Sequence, residues 1–108
     1  MDCFEAVERG AILIDIRSES QRAADGLIPD ASFVPRNQLE WRLDPASEHR
    51  DPGLARRDRA VILICDEGYQ SSLAAATVRR FGVDATDVAG GFQAWREAGL
   101  PVDPFGAT

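Results

Sequence analysis

The sequence contains no lysine: all twelve of its basic residues are arginine, against eighteen aspartates and glutamates. The resulting net charge of −6 argues against nucleic-acid binding, which requires a clustered basic face that neutralises phosphates. No apolar run approaches the roughly 18 residues of a membrane-spanning helix. Residues 1–5 are acidic and lack the apolar core of a signal peptide. We therefore expect a cytoplasmic protein that binds neither nucleic acid nor membrane.

Cysteine and histidine are scarce as well, with Cys3, Cys65 and His49 as the only examples. Two cysteines are too few for a disulfide framework, and no pair of potential ligands has the close spacing of a zinc site. We therefore expect neither a metal nor a cofactor. A hydrophobic content of 44% in 108 residues is typical of an ordinary globular protein, and residues 1–108 are assigned to a single domain.

The apolar segments are short and alternate with helix signals. Residues 11–16 and 60–65 are continuous apolar runs rich in branched side chains, which predicts strands buried on both faces. Shorter strands are predicted at 32–34 and 85–88. This order predicts an α/β fold with a small, mostly parallel sheet and helices on both faces. Ligands of such sheets bind at the carboxyl ends of the strands, which directs attention to residues 15–18, 35–37 and 65–72.

Capping signals predict where the helices begin. Three pairs have the spacing of capping residues: Asp2 with Glu5, Ser18 with Gln21, and Asn37 with Glu40. Ser71 or Ser72 is expected to cap the alanine-rich helix, and a last helix is predicted over 92–98. Residues 44–58, which are rich in charge, proline and glycine, are expected to form a surface loop. Trp41 and Trp95 are predicted to pack in the core, and Tyr69 and His49 to be exposed.

Cys65 ends a predicted strand and is followed by a short loop and a helix. Successive backbone N–H groups of such a loop can converge on one point, and the helix dipole adds positive charge there. A thiol held in that cradle is stabilised as the nucleophilic thiolate, and Gly68 supplies the backbone freedom that the turn requires. The simpler alternative is a buried structural cysteine, but its position between strand and helix favours a functional one.

Four segments together resemble the rhodanese family of sulfurtransferases. They are the Asp-x-Arg strand end at 13–17, the Gly-Leu-Ile-Pro-Asp-Ala segment at 26–31, the active loop at 65–71, and the closing Gly-Gly-x-x-x-Trp pattern at 90–101. Leu27 and Asp30 depart from the family's second segment. The resemblance covers nearly the whole chain and implies a rhodanese-like domain with four to five strands.

The resemblance implies an enzyme that carries sulfur as a persulfide on Cys65. The donor would be thiosulfate or another persulfide, and the acceptor a small thiol or a protein. The negatively charged persulfide would be bound by the loop residues and their backbone amides, namely Asp66, Glu67, Gly68, Tyr69, Gln70 and Ser71. Asp15 and Arg17 would support the loop from the neighbouring strand end, although a purely structural ion pair is an equally good interpretation.

The loop departs from the family in its charge. Tyr69 and Gln70 stand where many members have Arg or Lys, while Asp66 and Glu67 directly follow the nucleophile. Nearby carboxylates disfavour a thiolate and repel an anionic donor. We therefore expect thiosulfate to be a poor substrate, and a persulfide on a protein or a small thiol to be the donor.

Two other functions stay open from the sequence. Cysteine-dependent phosphatases and arsenate reductases place a Cys-x5-Arg loop at the same kind of junction, but the position of that arginine is Ser71 here. A catalytically silent rhodanese-like module for binding or regulation is the second alternative.

Family members usually carry a strand before the first helix, whereas this chain begins almost within that helix. We thus expect either a sheet with an exposed edge that pairs with a partner or second copy, or a missing upstream segment.

Overall fold

A four-stranded parallel sheet forms the centre of the computed structural model, which describes residues 6–7 and 9–104. The strands are β1 (Ile12–Asp15), β2 (Ser32–Phe33), β3 (Val61–Ile64) and β4 (Ala85–Asp87), in the spatial order β2-β1-β3-β4. Every pairing is parallel. The predicted α/β fold is confirmed, with four strands in the described part of the chain.

Helices connect the strands and cover both faces of the sheet. They are α1 (Glu19–Asp25), α2 (Leu39–Leu43) with a preceding 3-10 turn (Arg36–Gln38), α3 (Tyr69–Arg79) and α4 (Gly91–Glu97). Buried residues of α2 and α3 belong to one hydrophobic cluster with Ile14 and Leu63. Phe92 and Trp95 of α4 belong to a second cluster with Leu13 and Ile64. The two clusters make the sheet buried on both sides, as its apolar strands predict.

The alternation of side chains along the strands decides which residues can meet. Successive residues of a strand point to opposite faces of the sheet. Ile16 and Cys65 pack in the cluster under α2 and α3, whereas Ile64 packs in the cluster under α4. Asp15 and Arg17 alternate with Ile16, so their side chains lie on the α4 face, opposite the Cys65 side chain.

The predicted capping box of α1 is confirmed. Ser18 Oγ accepts a hydrogen bond from the Gln21 N–H, and the Gln21 side chain accepts one from the Ser18 N–H. The prediction for Asn37 and Glu40 is wrong, because neither the 3-10 turn nor α2 has a side-chain cap. Glu40 instead pairs with Arg36, one helical turn before it.

The prediction that Ser71 or Ser72 caps α3 is also wrong. The helix begins at Tyr69, and its N-cap is Gly68, which has a left-handed φ of 98°. A serine at position 71 therefore lies inside the first turn. Its hydroxyl faces the Cys65 sulfur and is fully buried.

Trp95 is buried as predicted, with its Nε1–H donating to the Pro101 carbonyl at 2.8 Å. Trp41 is 61% exposed, so the prediction that it packs in the core is wrong. The short α2 turns Leu39 and Leu43 into the core, and position 41 then lies on the opposite side of the helix. His49 is exposed as predicted. The predictions for Asp2, Glu5 and Cys3 fall outside the described residues.

Candidate functional site

The carboxyl ends of β1, β2 and β3 open into a cleft of about 870 Å³. Three separate stretches of sequence line it, within residues 16–21, 33–38 and 65–70. These are the strand ends that the parallel topology singles out.

Cys65 follows β3 directly and borders this cleft, although it is only 4% exposed. Two backbone N–H groups point at its sulfur: Gly68 N–H donates to Sγ at 3.0 Å and Ser71 N–H at 3.3 Å. Ser71 Oγ accepts a hydrogen bond from the Cys65 thiol at 3.3 Å and donates its own hydrogen to the Gly68 carbonyl oxygen at 3.4 Å, so the donors aimed at the sulfur are the two backbone N–H groups. Hydrogen-bond donors that converge in this way stabilise negative charge on a sulfur atom. The site therefore has the geometry of an anion cradle around the Cys65 sulfur.

The cradle depends on a tight turn at Gly68. This residue has a left-handed backbone, and a Cβ there would lie 2.9 Å from the Gly90 backbone nitrogen. Any other residue would meet both the conformational penalty and this close contact. Glycine at this position thus lets the chain reverse sharply, so that N–H groups on both sides of the turn face Cys65.

The first residues of α4 pack directly against the backbone of the cysteine loop. Gly91 has a φ of 60°, and a Cβ on it would lie 2.5 Å from the Cys65 carbonyl oxygen and 2.7 Å from the Gly68 nitrogen. Phe92 N–H donates to that same Cys65 oxygen at 2.7 Å. The Gly-Gly pair that the sequence comparison singled out therefore allows the backbone of α4 to touch the loop directly.

Asp66 and Glu67, the two acids after the cysteine, lie in different surroundings. The Asp66 side chain accepts a hydrogen bond from Gln93 Nε2 at 2.9 Å, and its carbonyl oxygen accepts one from the Gln93 N–H. Asp66 thus ties the loop to α4, a contact that the sequence pattern did not reveal. The Glu67 side chain is exposed and borders the cleft. Tyr69 and Gln70 are also exposed and border it.

Asp15 and Arg17 form a buried ion pair on the α4 face. Arg17 donates to both carboxylate oxygens, with an Nη2–Oδ2 distance of 2.8 Å, and also to the Gly26 carbonyl. Its Cζ atom stacks 3.9 Å from the centroid of the Phe92 ring. Because the Phe92 N–H binds the Cys65 carbonyl, Phe92 contacts both the ion pair and the cysteine loop. Its guanidinium has no exposed surface and lies on the opposite side of the sheet from the sulfur.

Arg36 lies in the stretch 35–37 that the strand ends singled out, but it was not named as a site residue from the sequence. It follows Pro35 at the end of β2, borders the cleft together with Cys65, and has a side chain 34% exposed. Its Nη1 atom pairs with Glu40 Oε1 at 2.5 Å. Its position after a strand of a parallel sheet indicated the ligand site, but nothing local in the sequence distinguished its side chain from those of Pro35 and Asn37. Among the described residues that line the cleft, Arg17 and Arg36 are the two cations.

The described residues include no cluster of three His, Cys, Asp or Glu side chains placed to hold a metal ion. No helix within 6–7 and 9–104 is long and apolar enough to cross a membrane. The site as described is made of a buried thiol, backbone N–H groups, a buried ion pair and one partly exposed arginine.

A family model described as Rhodanese-like domain matches residues 4–98 of the chain. No curated protein matches the sequence significantly. Among solved structures, a protein of unknown function from Rhodopseudomonas palustris, described as a possible tyrosine phosphatase, is 32% identical with a TM-score of 0.85. The match covers 93% of this chain and 76% of that one.

Two further solved structures carry descriptions from the same family. A rhodanese-related protein from Thermoplasma volcanium is 25% identical, with a TM-score of 0.72 and coverage of 92% of this chain and 88% of that one. A thiosulfate sulfurtransferase from Pseudomonas aeruginosa is 24% identical, with a TM-score of 0.69, and the match covers 96% of this chain and 19% of that one. The latter likeness shows the fold alone.

Proposed function

The chain belongs to the family of rhodanese-like domains, and on that premise we propose that it is a sulfurtransferase carrying sulfur as a persulfide on Cys65. The observation that carries the proposal is the convergence of the Gly68 and Ser71 N–H groups on the Cys65 sulfur, at 3.0 and 3.3 Å. A cradle of this kind stabilises negative charge on the sulfur, including the charge that a bound persulfide retains. A cysteine that served only to fill the core would need no such donors.

The proposed reaction has two displacement steps. In the first, the Cys65 thiolate attacks the outer sulfur of the donor, and a new sulfur–sulfur bond forms. The bond between that outer sulfur and the rest of the donor breaks, and the departing group takes the electron pair, as sulfite from thiosulfate or as a thiolate from an organic persulfide. In the second step, an acceptor thiolate or cyanide attacks the terminal sulfur on Cys65, which leaves as the free thiolate.

The charges around the cleft favour an organic persulfide over thiosulfate as the donor. Glu19 and Glu67 are exposed at the cleft, and Glu67 belongs to the cysteine loop itself. Thiosulfate carries its charged oxygens next to the transferred sulfur and must bring them beside Glu67, whereas a persulfide on a larger organic body spreads its contacts over the cleft wall and can hold a charged group away from Cys65. The cleft volume of about 870 Å³ suits a ligand of that larger size.

Intact-protein mass spectrometry tests the proposal directly. The protein is exposed in separate samples to thiosulfate and to glutathione persulfide, and the Cys65→Ser variant serves as the control. We expect a mass gain of one sulfur atom from the persulfide that cyanide removes and that the variant does not show. Absence of an adduct from both donors would contradict the proposal and favour the alternative of a silent binding module.

A phosphatase is the second candidate, because the Rhodopseudomonas palustris protein is described in those terms. Phosphatases with this type of loop use an arginine to clamp the tetrahedral anion, and Ser71 occupies the corresponding position. The buried hydroxyl beside Cys65 carries no positive charge to replace it. We therefore expect no hydrolysis of p-nitrophenyl phosphate above the rate of the Cys65→Ser variant, and a clear excess would favour the phosphatase.

A further inference from the structure

Arg36 stands apart from the other charged groups of the cleft. It is carried by the turn after β2, whereas Cys65 follows β3, with β1 between the two strands. Arg36 therefore borders the cleft from a different strand end than the reacting sulfur. A ligand that touched both residues would place its anionic group at a distance from the sulfur that is transferred.

The second arginine of the cleft wall cannot take this role. The Arg17 side chain has no exposed surface, stacks on Phe92, and forms a bidentate pair with Asp15. The Arg36 side chain is about one-third exposed, at 34%. An anion that enters the cleft therefore meets Arg36 as the accessible cation among the described lining residues.

The pairing of Arg36 with Glu40 leaves binding capacity on the guanidinium. Glu40 Oε1 contacts Nη1, while a guanidinium offers five N–H donors arranged in a planar fork. Such a fork matches the two oxygens of a carboxylate. The Glu40 contact also restrains the long Arg36 side chain, which reduces the entropy lost when a ligand binds.

The rest of the cleft wall suits the body of an organic molecule. Four carboxamide side chains line it, and they can both donate to and accept from amide groups: Gln21, Asn37, Gln38 and Gln70. Phe33 and Tyr69 add aromatic surface. Thiosulfate, whose charged oxygens are bonded next to the transferred sulfur, is too small to use these contacts together with Cys65.

We propose that Arg36 is the specificity-determining residue of this cleft and that it selects organic persulfides bearing a carboxylate. This inference rests on the proposed sulfur transfer at Cys65 and names the substrate class. Arg36 binds the carboxylate of the donor, and the donor's outer sulfur is thereby directed to the cysteine loop. The transfer step itself is unchanged: the Cys65 thiolate forms a bond to the outer sulfur, and the donor leaves as its thiolate.

Two matched donors test this inference. N-acetylcysteine persulfide carries a carboxylate, and N-acetylcysteamine persulfide has the same amide and thiol body without it. The rate at which each donor loads sulfur onto Cys65 is measured by intact-protein mass spectrometry across donor concentrations. For the unmodified protein we expect loading by the carboxylate donor to be more efficient by about tenfold, the range of a charge-assisted contact.

The variant Arg36→Gln should lose this preference. Loading by N-acetylcysteine persulfide is expected to fall about tenfold through a raised KM, while loading by N-acetylcysteamine persulfide, which has no carboxylate, is unchanged. Arg36→Lys should restore part of the preference, since it keeps the charge but lacks the fork. Arg42→Gln is the matched control: this exposed arginine lies on α2 and contacts the His49 carbonyl instead of the cleft.

The outcomes separate the inference from the function on which it rests. An equal fall for both donors in Arg36→Gln would show a structural role and overturn the inference, as would the lack of any preference in the unmodified protein. If neither donor loads Cys65 in the unmodified protein, the proposed function itself fails, and the inference fails with it.

Discussion

The backbone of Gly91 touches the carbonyl oxygen of Cys65 so closely that a Cβ at position 91 would lie 2.5 Å from it. The contact joins the start of α4 to the loop that holds the proposed nucleophile. Residues far apart in sequence thereby fix one backbone geometry, in which the loop's carbonyl groups face α4 and its N–H groups face the sulfur.

The variant Gly91→Ala should damage both stability and sulfur loading. The added Cβ overlaps with Cys65 and Gly68 backbone atoms, and the positive φ adds a conformational penalty. We expect a loss of about 3 kcal/mol in the free energy of unfolding, measured by urea denaturation. Gly99→Ala is the control, because Gly99 has a similar φ of 75° but no atom within 4 Å of an added Cβ. It should cost about 1 kcal/mol and leave loading intact; equal effects would refute the steric explanation.

Ser71→Ala should slow sulfur loading without unfolding the protein. Ser71 Oγ accepts from the Cys65 thiol at 3.3 Å and donates to the Gly68 carbonyl oxygen; once the thiol has lost its proton, rotation of the hydroxyl lets it donate to the sulfur instead, while the backbone N–H contact survives the substitution. Loss of one hydrogen bond to a charged group predicts a rate about tenfold lower in single-turnover loading with a persulfide. Ser72→Ala, which alters an exposed neighbour on the same helix, should behave like the unmodified protein. A normal rate in Ser71→Ala would exclude a role for the hydroxyl.

We expect the Asp15–Arg17 pair to contribute to the stability of the fold and not to the rate of sulfur loading. Asp15→Asn leaves the Arg17 charge buried without its partner, and we expect a loss of about 3 to 5 kcal/mol in unfolding free energy. The double variant Asp15→Asn with Arg17→Met removes both charges and should lose less than the sum of the two single changes. If the folded double variant loads sulfur at the normal rate, the pair acts only on stability. A folded double variant that cannot load sulfur would instead indicate that the pair positions the loop.

Tyr69→Arg should raise the use of thiosulfate more than that of a persulfide. Tyr69 lines the cleft and is 76% exposed, so an arginine there adds positive charge near Cys65 without disturbing the core. We expect a gain of about tenfold in kcat/KM for thiosulfate, measured by cyanide-dependent thiocyanate release. Leu73→Arg adds the same charge one helical turn away, at an exposed position outside the cleft lining, and should have little effect. Equal gains for both donors in Tyr69→Arg would refute the electrostatic explanation.

Local sequence signals predicted the elements well where the signal was a continuous pattern. The apolar runs gave β1 and β3, and the Ser18–Gln21 spacing gave a capping box that the structure contains. The prediction of the α3 cap failed because the same serine side chain can either cap a helix or contact the cysteine. Ser71 has the chemistry of a helix cap, but the turn at Gly68 starts α3 earlier. The Ser71 hydroxyl therefore lies inside the first turn and contacts the Cys65 sulfur.

The sequence alone determined the order of strands and helices and the place of Cys65 between a buried strand and a helix, because these depend on neighbouring residues. The tertiary structure decided which charged side chains share the cysteine's side of the sheet. Strand alternation sends Arg17 to the α4 face, while the pairing of β2 with β1 brings Arg36 into the cleft. Both outcomes depend on contacts between residues distant in sequence, so no local pattern of charge could show which arginine an incoming anion meets.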